Sequence, residues 1–175
     1  ATSRERRSAL DAQQSSYKIL INSFYGQLGF QQALFNDFAE ADRVTTTGQQ
    51  LLRHLLAALV DAGGKVVEVD TDGVLFVPPP AVQGEAAERA FVQQLSHTMP
   101  EGIRLGYEGR FRKMLSYKIK NYALLTYEGQ VQCKGSSLVS RAVEPGGRRF
   151  VLEAITLLLH EDIAALHELY VSTER

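Results

Sequence analysis

Cysteine is almost absent from this sequence: Cys133 is the single one, which excludes an internal disulfide framework and a cysteine-based zinc site. Long apolar runs are missing too. The two richest stretches, near residues 51–60 and 151–159, are interrupted or too short to span a bilayer, and the charged residues 1–7 have no apolar core behind them. The expectation is a soluble, cytoplasmic protein. Proline is scarce, with 5 in 175 residues, and hydrophobic residues at 45% with charged residues at 22% exclude a collagen-like, low-complexity or mainly disordered chain. This length suits one compact domain, or one large domain with an appended helical element, and it can bury a core without covalent staples.

An excess of either charge is also lacking, since 19 Lys and Arg face 20 Asp and Glu for a net charge of −1. The average hides an asymmetry. Between positions 104 and 149 stand ten bases against three acids, a local balance of +7, and the remainder carries −8. So basic a segment can track a phosphate backbone, although from charge alone solvated positions on alternating strands are the favoured reading.

Apolar residues Leu10, Tyr17, Ile21, Phe24 and Leu28 recur at helical spacing over residues 4 to about 28, with Gly26 and Gly29 as stop signals. Thr45 to Thr47 can cap a second helix from about 48 to 62, closed by Gly63 and Gly64. A Val-rich hairpin follows over 65–77, its tip carrying Asp70-Thr71-Asp72-Gly73, and then an amphipathic helix over 85–97. Three extended segments come next, at about 103–115, 117–127 and 130–139, the last two joined by Glu128-Gly129. A final helix is expected from about 149 to 170. Runs of antiparallel strand with helices packed on one face make the fold α+β rather than a doubly wound sheet.

Three groups of residues could carry chemistry. Lys18, Asn22 and Tyr25 stand at i, i+4 and i+7, within roughly a 60° arc of one helix, and offer a cation, an amide and a phenol together. That face suits a phosphate and a sugar or base, or it is simply the polar side of an amphipathic helix. Asp70 and Asp72, two apart, point the same way if the strand stays extended. Two such carboxylates need a counter-ion, and hard oxygen ligands suit Mg²⁺ or Mn²⁺; an ordinary Asp-Gly turn is the other reading. Lys118, Lys120 and Tyr122 alternate along one expected strand, with Lys134 on the next, where they could follow the phosphates of a nucleic acid or serve as edge-strand lysines that deter aggregation.

Lys18-Ile19-Leu20-Ile21-Asn22-Ser23-Phe24-Tyr25-Gly26 resembles, at each fixed position, the Lys-x-x-x-Asn-Ser-x-Tyr-Gly signature of the fingers helix in family B DNA polymerases. Further features follow in family order. Thr46-x-Gly48 opens the second helix, Asp70-Thr71-Asp72 resembles the catalytic Asp-Thr-Asp of the palm, Lys120-Asn121-Tyr122 resembles Lys-x-Tyr, and Lys134-Gly135 precedes Arg141. The resemblance spans roughly residues 10–149. It implies an antiparallel palm sheet with a long N-terminal fingers helix, and the division 1–33 for the C-terminal part of the fingers, 34–147 for the palm, and 148–175 for a palm helix or the start of a thumb.

By the same resemblance, Lys18 would neutralise the triphosphate of an incoming dNTP, with Asn22 beside it and Tyr25 bordering the nascent base pair. Asp72 and Asp70 would be the catalytic carboxylates and metal ligands for two ions, Mg²⁺ or Mn²⁺. Lys118, Lys120, Tyr122 and Lys134 would hold the primer and template DNA. Two departures concern the hairpin: Gly73 stands where the family usually has Ser, and Val69 where Gly is usual. No Asp-x-x-Ser-Leu-Tyr-Pro-Ser-like segment, which carries the family's other palm aspartate, occurs in the sequence, and Asp11, Asp37 and Asp42 lack its context.

The expectation is therefore a fingers-and-palm piece of a longer DNA polymerase, inactive alone, whose exonuclease and thumb lie elsewhere and whose bared apolar surface makes it self-associate. A stand-alone, non-catalytic palm relic that binds nucleic acid is the alternative, and a metal-dependent nuclease a third reading.

Overall fold

The computed structural model describes residues 3–70, 73–135 and 144–173. In chain order its elements are α1 (Ser3–Leu28), α2 (Phe38–Asp61), β1 (Lys65–Val69), β2 (Val74–Val77), α3 (Glu85–His97), β3 (Lys113–Lys118), β4 (Asn121–Leu125), β5 (Val131–Lys134), α4 (Pro145–His160) and α5 (Ile163–Thr173). They form two compact units, one of Ala1–Val66 with Leu95–Arg104, the other of Val67–Gln94 with Leu105–Arg175. Among the described residues no helix is long and apolar enough to cross a membrane.

In the first unit the long N-terminal helix follows the expected spacing, but it runs through Gly26 and ends at Leu28. The Gly29 N–H then reaches the Tyr25 carbonyl at 3.3 Å. No residue of α1 is buried. The second helix begins ten residues before the expected start. Its cap is Asp37, whose carboxylate accepts from the Glu40 N–H at 3.1 Å, while Thr45 donates to carbonyls one turn back, as a mid-helix threonine can. Asp37 followed three residues later by Glu40 carries the spacing of a capping box, and that signal outweighs the threonine run. The helix closes at Gly63, whose φ of 83° favours a residue without a Cβ. Leu59, 1% exposed, anchors the unit, and His54 Nε2 lies 2.7 Å from the Thr98 carbonyl.

The second unit contains an antiparallel meander in the order β3-β4-β5. Every residue of β4 is buried. Ala123 and Leu125 face Ile155 and Leu159 of α4, with Leu115, Val131, Cys133 and Val151 packed around them, so a helix covers this face of the sheet as the α+β reading requires. β1 and β2 form a separate two-stranded hairpin, closed by the Asp70 N–H to the Gly73 carbonyl at 2.9 Å.

Two expected elements are corrected. The extended segment at 103–115 forms a strand only from Lys113; its earlier part is irregular and held by side chains instead of a ladder. Tyr107 donates its hydroxyl to Glu88 Oε2 at 3.0 Å, Arg110 pairs with Glu88 Oε1 at 3.1 Å, and Arg110 also stacks on the Tyr127 ring at 4.0 Å. The expected single C-terminal helix is two. Glu161 takes a left-handed conformation at φ 63°, the N–H groups of Glu161 and Asp162 close the carbonyl end of α4, and Asp162 caps α5 through the Ala165 N–H at 3.0 Å. The Lys113 amine then holds Glu161 at 2.9 Å, which lowers the Glu161 pKa.

Candidate nucleic-acid interface

The helical geometry of α1 places Lys18, Asn22 and Tyr25 on one exposed face, as their spacing implies. Tyr25 also borders a shallow cleft of about 460 Å³ with Phe38, Ala39, Ala41, Asp42 and Thr45, at the beginning of α2. Gly26 is helical, and a Cβ there meets nothing within 4 Å. The fold has no need of a glycine at this position. Gly26→Ala is therefore expected to raise the melting temperature slightly, from a gain of roughly 0.5–1 kcal/mol as alanine replaces glycine inside a helix. A drop in melting temperature on thermal denaturation would refute the helical assignment.

The second group of residues converges around the face of β4 opposite α4. Tyr122 pairs in register with Lys134 of β5 and Ser116 of β3, so Tyr122 and Lys134 are side-by-side neighbours. Tyr122 is 7% exposed. Its hydroxyl pKa is raised, first by burial and then by the carboxylates of Asp70, Glu68 and Glu108, which places this phenol in a setting of negative charge. Asp70 in turn lies against Lys120, whose amine is 3.3 Å from Asp70 Oδ1. Both partners are about half exposed, so the pair orients these groups more than it stabilises the fold.

The expected alternation of Lys118, Lys120 and Tyr122 along one strand is not what forms. Lys118 ends β3 opposite Asn121, with a register shift between Ser116 and Lys118, and the chain turns at Ile119 and Lys120 before β4 begins. Lys120 sits in that turn with φ 59°, a left-handed conformation costing a lysine about 1–2 kcal/mol. The turn survives because its surroundings hold it. Glu68 Oε1 accepts from the Lys120 N–H at 3.3 Å, and the Asn121 side chain donates to the Ile119 carbonyl at 3.0 Å. Beneath it Gly135, with φ 96°, comes so close that a Cβ would strike the Lys120 carbonyl and lie 2.5 Å from Asn121 Oδ1. Lys118 keeps its amine outward, 5.8 Å above the Tyr117 ring.

Thus Asp70, Lys120, Tyr122 and Lys134 are brought together, Lys118 stands at the rim of the same turn, and Asp72, with Thr71 and Arg141, lies outside the described residues. Glu68 escaped the sequence reading, though its signal was present: it precedes Asp70 by two residues and shares its side of the strand. Among the described residues no group of three or more His, Cys, Asp or Glu is placed to hold a metal ion. The donors that are placed, Glu68 and Asp70, are hard carboxylate oxygens, the chemistry that suits Mg²⁺ or Mn²⁺.

The fold is shared with a known polymerase: the structure of the family B DNA polymerase from the hyperthermophilic archaeon Pyrobaculum calidifontis matches 90% of this chain and 19% of its own, with a TM-score of 0.62 at 22% identity. A family model, DNA polymerase family B, matches residues 1–172, and the chain belongs to that family. DNA polymerase 1 of Pyrococcus abyssi is 34% identical over 134 residues, covering 75% of this chain and 17% of the relative. The DNA polymerase of Thermococcus gorgonarius is 32% identical over 163 residues, covering 88% and 20%. The chain thus spans about a fifth of the length of the curated relatives it matches.

Proposed function

We propose that this chain supplies the nucleotide-binding helix and the palm of a DNA-directed DNA polymerase, transferring a nucleotidyl group from a dNTP to a primer 3′-hydroxyl. The observation that carries the reading is the convergence of Asp70, about fifty residues upstream, with Lys120, Tyr122 and Lys134 around one turn of the sheet. Residues 1–33 act as the C-terminal part of the fingers, 34–147 as the palm, and 148–175 as its closing helices or the start of a thumb.

Lys18 and Asn22 bind the triphosphate, and Tyr25 borders the nascent base pair. Lys120, Lys134 and Lys118 neutralise primer-strand phosphates, and Tyr122, backed by the packed sheet, fixes the strand beside Asp70. Asp70 and Asp72 hold the divalent cations, Mg²⁺ or Mn²⁺. Two such ions, when bound, supply Lewis-acid stabilisation of the attacking and leaving oxygens. The 175 residues by themselves lack the family's upstream palm aspartate, so they are expected to bind primer-template without extending it.

Fluorescence anisotropy with a labelled primer-template and a primer-extension assay test this together. Binding should weaken steeply as salt rises, and Lys120→Ala or Lys134→Ala should each reduce the slope of log affinity against log salt by about 1. Absence of binding at low salt would remove the reading. Extension that disappears in Asp72→Ala would overturn the expected inactivity. The basic balance of residues 104–149 also supports a second reading, a non-catalytic module that binds nucleic acid, which predicts the same binding but no extension even when the rest of a polymerase is joined to it.

A further inference from the structure

Glu68 is a half-buried acid on a Val-rich strand, in a place where an apolar residue would continue the pattern. A carboxylate kept there needs a partner. Its Oε1 accepts from the main-chain N–H of Lys120, the residue held in a left-handed conformation, and Lys120 in turn extends its amine to Asp70, two residues on and just past the end of β1. One strand edge thus grips the turn twice, by the backbone through Glu68 and by the side chain through Asp70. The two contacts are geometrically linked. Glu68 and Asp70 stand two residues apart at the end of β1, at most roughly 7 Å of chain, a span that a lysine side chain bridges from its own amide to its amine.

We infer that Glu68 is a positioning residue: by fixing the Lys120 amide it sets the direction of the Lys120 side chain, and so the place where this turn presents its cation to a primer phosphate. The inference rests on the proposed primer-binding role of Lys120 for its consequence, but not for its geometry. What Glu68 contributes is an acceptor oxygen at a given place, not negative charge. Glutamine can therefore replace it, whereas a residue of similar length without an acceptor cannot.

The test uses the 175-residue chain with Glu68→Gln, Glu68→Met and Lys120→Ala, and the double variant Glu68→Met with Lys120→Ala. Two quantities are read: amide hydrogen exchange at position 120, and anisotropy with a labelled primer-template. In E68M the Lys120 amide should exchange at least tenfold faster than in the parent chain, while E68Q stays within about twofold. E68M should weaken DNA binding as much as K120A does, and the double variant should be no weaker than K120A alone, since both changes remove one contact. Circular dichroism confirms that each variant folds, and Glu68→Ala repeats the comparison if methionine at 68 disturbs the sheet. An exchange rate in E68M within twofold of the parent overturns the inference. So does E68Q behaving like E68M, which would mean that charge is what matters, and so do effects of E68M and K120A that multiply. If the parent chain fails to bind DNA, the proposed function falls, while the exchange comparison still decides the role of Glu68.

Discussion

Gly135→Ala is expected to destabilise the second unit by roughly 3 kcal/mol and to abolish much of the primer-template binding proposed for it. Two costs combine at this position. The backbone stands at φ 96°, which an alanine adopts only with strain, and the new methyl group would overlap the Lys120 carbonyl and crowd Asn121 Oδ1 at 2.5 Å. Neither obstacle is the free end of a flexible side chain. The Lys120 carbonyl belongs to a turn held by Glu68, and Asn121 is buried and hydrogen-bonded to Ile119. Relief therefore requires moving the turn itself, and with it the Lys120 amine. For a chain of this size, roughly 3 kcal/mol corresponds to a fall of about 6–12 °C in melting temperature. Thermal denaturation followed by circular dichroism reads the first effect and anisotropy the second; an unchanged melting temperature would show that Gly135 and the turn are not in contact.

Leu159→Ala is expected to cost 2–5 kcal/mol, as removal of a buried leucine usually does through lost transfer energy and an incompletely filled cavity (about this range). Leu159 is 3% exposed and meets Ala123, Leu125 and Ile155 where α4 covers the meander. Its neighbour Leu158 is 39% exposed, and the same substitution there should cost under about 1 kcal/mol. Urea denaturation of the two variants measures the contrast. Equal losses would mean that α4 is rotated from the orientation described. The effect extends to the proposed primer-binding site because β4 carries Ala123 and Leu125 on one face and Tyr122 on the other. Loosening the helix loosens the strand that presents the phenol beside Asp70.

Much of this arrangement was legible beforehand, for reasons that differ by element. The 3.6-residue recurrence of Leu10, Tyr17, Ile21 and Phe24 specified α1, although those side chains are exposed in the folded chain. The Glu128-Gly129 signal placed the β4 to β5 turn, which the Gly129 N–H closes onto Thr126 at 3.2 Å. The beginning of α2 lies ahead of the three threonines because the Asp37 to Glu40 capping pair, a local signal also present in the sequence, starts the helix there. The C-terminal helix was read as continuous because apolar residues persist on both sides of Glu161 and Asp162, where local capping interrupts it.

The candidate site divides along the same line. Lys18, Asn22 and Tyr25 share a face by helical geometry alone, and Asp70 falls at a hairpin end because a Val-rich run meets a turn sequence. By itself, then, the sequence determined family membership, the element order as far as the C-terminal helices, and the groups whose members lie within two turns of helix or one hairpin. Only the tertiary structure decided that Lys120 leaves the strand for a left-handed turn, that Glu68 holds its amide, that Lys134 stands beside Tyr122, and that Gly135 packs under the turn. Local patterns report interactions between near neighbours, whereas these contacts join residues 12 to 52 positions apart, and their geometry is set by strand register and by which buried groups must find partners.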